Sequence, residues 1–362
     1  MLRTFLMALL LAGLVQNAAL AASRSARARR VVHTRFDPAG DDNTDGDDLV
    51  IRRAAVAALG SRNGSVVVVD PTTGRVLTIV NQKLALESGF VPCSTVKLVT
   101  TLAALTENVT QPDTVIAIGR RARYTLTTAL AHSNNEYFAY LGEHLGFDRV
   151  IHYASMLGFG EKAGLDITGE EAGTLPDRPP AGGGVGLMTS FGEGISMTPL
   201  ELAALLSAIA NGGTLYYLQY PHSPDEENNF APKIKRTLDL APGSIGDLKA
   251  GMRAAVTYGT ARRAHYDPEE PVLGKTGTCT DHRSSSHMGW FGSFNEVGAH
   301  QLVIVVMLAG GRLPVSGPIA AGVAGVIYRS LSKQQYFASG ESSPRRSDLP
   351  QILVTKPTCC EQ

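Results

Sequence analysis

Residues 90–97 read Phe90-Val91-Pro92-Cys93-Ser94-Thr95-Val96-Lys97, and Leu98, Val99, Leu102, Ala103 and Leu105 continue the apolar pattern. Proline suits the first turn of a helix, where its missing N–H costs nothing. A helix is therefore expected after Pro92, with Ser94 in its first turn near unpaired backbone N–H groups. Residues three apart share a helix face, so Lys97 can reach Ser94. A serine hydroxyl is a weak nucleophile until a base takes its proton. A lysine serves as that base only when burial or a neighbouring cation lowers its pKa.

Two further motifs follow in order. Ser133-Asn134-Asn135 lies 39 residues after Ser94, and Lys275-Thr276-Gly277-Thr278 lies near the end of the chain. Lys275 is the candidate neighbouring cation. Ser133 is placed to relay a proton to a leaving group, and Asn135 to hold Lys97 and a substrate amide. The Lys275–Thr278 segment reads as a strand that pairs edgewise with an extended substrate, with Gly277 admitting close approach. Thr276 and Thr278, with Lys275, are candidates to bind a terminal carboxylate. Backbone N–H groups near Ser94 would stabilise an oxyanion. Each motif alone recurs by chance, and S-x-N alone also reads as a turn or cap; the order of the three, and the apolar context after Ser94, carry the weight.

Outward from these motifs, Ser65–Val69 and Val76–Val80 are β-rich runs around the turn-forming Asp70-Pro71-Thr72-Thr73-Gly74. Ile51–Leu59 reads as helix. The middle, about 125 to 260, is helical pattern broken by glycine and proline, including Gly182-Gly183-Gly184. Pro199 opens a helix over Leu200–Ala210 that stops at Asn211-Gly212-Gly213. Strand pattern returns at 272–278, 288–294 and 301–308, and 325–333 reads as a closing helix. Strands at both ends around a helical middle predict a sheet assembled from both ends of the chain, beside a helical insert. The cleft between them is the expected site.

The ends carry other signals. Arg3, the apolar run Phe5–Val15 and the small-x-small Ala19-Leu20-Ala21 read as an export signal over residues 1–22, either cleaved or retained as a membrane anchor. The body would then lie outside the cytoplasm. Residues 23–48, basic and then acidic, read as disordered linker, 49–336 as the folded domain, and 337–362 as a disordered tail. Lys plus Arg and Asp plus Glu both number 33, so no global basic field attracts nucleic acid. The nine histidines show no zinc-like spacing, and no metal or cofactor is expected.

With Phe90–Lys97, the sequence resembles the transpeptidase domain of penicillin-binding proteins over about residues 49–333. Gly158-Phe159-Gly160, Gly169–Pro176, Thr198–Ala203 with Ala210–Gly213, and Gly289-Trp290-Phe291-Gly292 are similar to other segments of that family. The resemblance implies an α+β fold: an antiparallel sheet flanked by helices, plus an all-α lobe, with the active site in the cleft between them. It implies attack on the D-Ala-D-Ala end of peptidoglycan stem peptides, with β-lactam antibiotics as covalent inhibitors. The short spacing from Ser94 to Ser133 departs from the family and implies a trimmed helical lobe.

Cys93 precedes Ser94 and Cys279 follows Thr278, so the two would face each other across one cleft. A Cys93–Cys279 disulfide is expected, an arrangement that resembles a bridge in some carbapenem-hydrolysing class A β-lactamases. A serine β-lactamase is therefore one alternative, with Glu170, Glu171 and Glu193 as candidate bases for hydrolysis. A β-lactam- or peptidoglycan-sensing module is another.

Overall fold

The computed structural model describes residues 37–338 apart from Ser88, 282–285 and 311–313. The expected export signal, the basic start of the linker and nearly all of the tail lie outside the described residues. Chain order begins with α1 (Leu49–Leu59), the hairpin β1 (Gly64–Asp70) and β2 (Arg75–Val80), and the short α2 (Gln82–Leu86). A 3-10 turn over Cys93–Val96 runs into α3 (Lys97–Thr106). A small hairpin, β3 (Ile116–Ile118) and β4 (Ala122–Tyr124), precedes α4 (Leu126–His132), α5 (Asn135–Leu145), α6 (Phe147–Met156), α7 (Gly184–Phe191) and α8 (Pro199–Ala210). Next come β5 (Thr214–Tyr216), α9 (Pro224–Asn228), β6 (Ile234–Thr237) and α10 (Ser244–Thr257). The chain closes with β7 (Val272–Asp281), β8 (Ser286–Asn295), β9 (Val303–Leu308) and α11 (Gly317–Lys333).

Five strands form one antiparallel sheet in the order β2-β1-β9-β8-β7. The sheet is thus assembled from both ends of the chain, as the pattern predicted. Successive residues of a strand face opposite sides. Val67 and Val69 of β1 join the core shared with α3, α5 and α8, whereas Val66 and Val68 join the core under α1 and α11. Both faces are covered, which explains why β1 and β9 read as unbroken apolar runs rather than alternating ones. Among the described residues β7 pairs only with β8 and forms one edge of the sheet.

Local chemistry sets the helix starts. Thr198 caps α8 in a reciprocal box with Glu201, and Pro199 occupies its first turn. The Asn134 side chain accepts from the Tyr137 N–H and starts α5. Where α5 and α7 cross, a Cβ on Gly142 would lie 2.0 Å from Thr189 Oγ1, so only glycine permits that approach.

Two expectations need correction. The acidic stretch ending at Asp48 is not solvated linker: Asp42 and Asp47 both pair with the buried Arg52, at 2.8 and 2.9 Å. Asp47 is fully buried and also accepts from Thr78 and Tyr220, while Asp48 caps α1. A buried guanidinium requires such partners, which composition does not reveal. At the other end, the closing helix begins at Gly317, and Phe337 is buried within the second core.

Candidate active site

The 3-10 turn positions Ser94. Cys93 takes a left-handed backbone conformation (φ 51°), sparsely populated for residues other than glycine. Its side chain is disulfide-bonded to Cys279 on β7, with the Cα atoms 5.5 Å apart. The predicted bridge is therefore present, and it ties the residue before Ser94 to the strand that carries Lys275. Pro92 also packs where a Cβ on Gly192 would stand, 2.4 Å from its ring. Ser94 is thus braced by β7 on one side and the end of α7 on the other.

Ser94, Lys97, Ser133, Asn135 and Lys275 come together. Lys97 is fully buried, with its Nζ 3.0 Å from Ser94 Oγ and 3.1 Å from Ser133 Oγ. The same Nζ lies 2.8 Å from the Ser133 carbonyl and 2.6 Å from Asn135 Oδ1. The carbonyl oxygens can only accept. A neutral amine would give its two N–H groups to them and keep one lone pair to accept from one of the two hydroxyls at a time. Burial first, then the neighbouring Lys275 cation, hold Lys97 well below the usual lysine range and favour that neutral form. Lys275 is also fully buried; it donates to Ser133 Oγ at 2.8 Å and to the Thr276 carbonyl at 2.8 Å. Burial pushes its pKa down to about 7.

Ser133 reaches both lysines because it ends α4 in a left-handed conformation (φ 54°), turning its carbonyl and hydroxyl into the cleft. Asn135 is the first residue of α5. The second motif therefore spans the junction of two helices.

The remaining motif residues divide by face. Thr276 is buried, with its hydroxyl 2.7 Å from that of Thr260. Thr278 is exposed, and its hydroxyl accepts from the Gly317 N–H at 2.7 Å. Gly277 lies under the turn that carries Ser94: a Cβ there would stand 3.1 Å from the Pro92 carbonyl and 3.2 Å from the Cys93 Cβ. Its smallness thus admits the turn itself, where the sequence suggested approach by substrate alone. The outer edge of β7 pairs with no other strand among the described residues.

The three candidate carboxylates stand differently. Glu170 is buried and accepts from the Ala163 and Gly164 N–H groups at 2.8 and 3.0 Å, which makes it a loop staple. Glu171 is exposed, and Glu193 is half-buried. Among the described residues, no carboxylate hydrogen-bonds Ser94, Lys97, Ser133 or Lys275. Trp290 is fully buried and donates to the Val91 carbonyl at 3.0 Å, supporting the segment before Ser94. His132 is exposed against Tyr258, and His287 faces Thr280; His282 lies outside the described residues.

Sequence reasoning missed Thr260, which no local motif marks, and Glu201. The T-x-x-E pattern at Thr198 is a signal that could have marked the capping box. It did not reveal that buried Glu201 also accepts from Gly160 and Gly173, joining two loops to α8.

A family model described as the penicillin binding protein transpeptidase domain matches residues 64–329. Stage V sporulation protein D of Bacillus subtilis is 28% identical over 291 residues, covering 72% of this chain and 44% of that protein. Peptidoglycan D,D-transpeptidase FtsI of Escherichia coli K12 is 27% identical over 255 residues, covering 59% and 43%. Peptidoglycan D,D-transpeptidase MrdA of Haemophilus influenzae is 26% identical over 360 residues, covering 76% and 54%. The chain thus spans about half the length of these curated relatives. Among solved structures, Pseudomonas aeruginosa PBP2 in complex with WCK 5153 superposes with a TM-score of 0.66 at 23% identity, covering 82% of this chain and 79% of that one. The D,D-transpeptidase domain of a peptidoglycan glycosyltransferase from Eggerthella lenta gives 0.61 at 21%, covering 79% and 82%. At such identities the two solved structures establish the fold.

Proposed function

This chain belongs to the penicillin binding protein transpeptidase domain family, and from that premise we propose that it is a serine acyl-transferase acting on the D-Ala-D-Ala end of peptidoglycan stem peptides. The single observation that carries the proposal is the Lys97 amine poised between the Ser94 and Ser133 hydroxyls.

The substrate lies along the free edge of β7. Its terminal carboxylate meets Lys275, Thr276 and Thr278. The Ser94 oxygen attacks the carbonyl of the penultimate D-Ala as the Lys97 lone pair takes the hydroxyl proton. The oxyanion forms beside backbone N–H groups of the first turn. That proton then passes through Ser133 to the nitrogen of the terminal D-Ala, which leaves as the C–N bond breaks. The acyl-Ser94 ester is finally taken by an amine of a second stem peptide, giving a cross-link, or by water, giving a trimmed stem. β-Lactams enter by the same attack and remain as an ester on Ser94. The reaction takes place outside the cytoplasm, with the N-terminal apolar segment directing export or anchoring the chain.

A β-lactamase must activate water on the acyl-enzyme. Glu170 is committed to backbone N–H groups, and no described carboxylate bonds the reacting groups, which favours slow deacylation. The test is intact mass over time after benzylpenicillin is added to wild type and Ser94→Ala. A persistent adduct that requires Ser94 is the expected result. Rapid turnover to penicilloate would replace the proposal with a β-lactamase, and absence of both adduct and hydrolysis would reject acyl transfer.

A further inference from the structure

A cavity of about 560 Å³ opens on a part of the molecule that contains none of the residues discussed above as catalytic. This volume falls within the roughly 300–1,000 Å³ typical of sites for drug-sized ligands. One side is apolar: Leu86 from α2, with Leu165 and Ile167 from the loop after α6. Phe230, just after α9, adds a half-buried ring, with Arg75 stacked 5.5 Å from its centroid. The polar side holds groups that the protein leaves unused. Gln219 and Asn229 each give the amide nitrogen to a backbone carbonyl, of Ala231 and Asp225, and neither amide oxygen has a partner among the described residues. The side chains of Asp166, Thr168 and Lys233, exposed to solvent at its mouth, also line the cavity without a protein partner among the described residues. Asp166 adopts a left-handed backbone (φ 55°) on its wall.

This combination selects a chemistry. Acceptors on Gln219, Asn229 and Asp166 suit ligand hydroxyls, and donors on Lys233 and Thr168 suit an amide carbonyl. An aromatic ring beside an apolar floor suits a face of C–H groups. Asp166 and Glu226 set against Lys233 leave the lining no more than weakly acidic, which suits an uncharged ligand rather than an anion. We propose that this cavity binds an N-acetylated sugar of a peptidoglycan strand, about a disaccharide in length. The proposal deepens the acyl-transfer reading, on which its biological sense rests: a stem peptide arrives attached to a glycan, and a second contact would hold the strand while its peptide reacts. The two sites are close along the chain, because Leu86 precedes Ser94 by eight residues.

The test uses chitotetraose, an N-acetylglucosamine oligomer without peptide, titrated into the full chain by calorimetry. Benzylpenicillin acylation is measured on the same preparations. Wild type should bind the sugar equally well before and after Ser94 is acylated. Phe230→Ala should weaken binding about tenfold or more through loss of the ring contact, with acylation unchanged. Gln219→Ala, a milder change that guards against a folding defect in the first variant, should weaken binding less. Binding that is absent, insensitive to both substitutions, or lost on acylation would overturn the proposal. Sugar binding without any acylation would uphold this site and reject the acyl-transfer reading instead.

Discussion

Lys97 and Lys275 share one partner: their Nζ atoms lie 3.1 and 2.8 Å from the Ser133 hydroxyl oxygen. Two buried amines around one hydroxyl cannot both carry charge cheaply: burial lowers the proton affinity of each, and the Lys275 cation lowers that of Lys97 further. Both effects favour a neutral Lys97, and among the described residues no carboxylate hydrogen-bonds either amine.

The first prediction concerns pH. Acylation by benzylpenicillin should rise with pH as Lys97 loses its proton. Lys275 as a cation lowers the Lys97 pKa, so Lys275→Met should move the acid limb to higher pH while also slowing the reaction. Rates from intact mass across a pH series measure both effects. An unmoved limb would show that the two charges are uncoupled.

The second assigns roles by magnitude. Ser94→Ala should abolish the adduct. Lys97→Met should slow acylation by about 10²–10⁴-fold, the usual worth of a positioned base. Ser133→Ala should leave acylation by benzylpenicillin less affected than transfer from a D-Ala-D-Ala peptide, because only the peptide must release a protonated amine. Equal losses in both assays would argue against the relay.

A third follows from the Cys93–Cys279 bridge, which closes a loop of 186 residues. Removing it with the double variant Cys93→Ser/Cys279→Ser should cost about 2–4 kcal/mol in denaturant unfolding. Acylation should slow as well, since Cys93 would no longer be held in its left-handed conformation.

Gly277 offers a sharper probe of the same contact. A methyl group there would press on the Pro92 carbonyl and the Cys93 Cβ. Gly277→Ala should therefore reduce acylation about tenfold or more while costing roughly 1–3 kcal/mol of stability, the usual penalty for overpacking. Unchanged acylation would mean the turn gives way freely.

The fifth prediction is about stability. Burial raises the Asp47 carboxyl to about 6 from 3.8, and Glu201 to about 7 from 4.5. A carboxyl whose folded pKa is raised holds its proton better folded than unfolded. Its contribution is complete below the unfolded value and is lost as pH rises through the folded one. Both groups should thus make the protein less stable between about pH 4 and 7. Asp47→Asn should flatten part of that decline in thermal melts, whatever its effect on the absolute midpoint.

The motifs and the strand runs were legible because their signals are local. Ser94 and Lys97 are one helical turn apart, and the valines of β1 declare a buried strand within five residues. What stayed hidden depends on partners far along the chain. Asp47 meets Tyr220 across 173 positions, so an acidic run reads as solvated until Arg52 and Tyr220 are in place. Thr260 acquires its role only when the end of α10 meets β7. The tightness at Gly277 arises because the turn that carries Ser94 and the Trp290 side chain both lie against it.

The sheet order has a consequence for how this molecule is made. β1 is among the first strands to be synthesised, yet its inner neighbour is β9, whose last residue is Leu308. Until almost the whole domain is available, the hairpin of β1 and β2 has an unmatched apolar flank, and until β7 arrives Ser94 has no strand to face. Such non-local pairing slows folding and prolongs exposure of sticky intermediates. A chain cut short anywhere before β9 should then yield no partly active fragment, only a polypeptide in need of a chaperone.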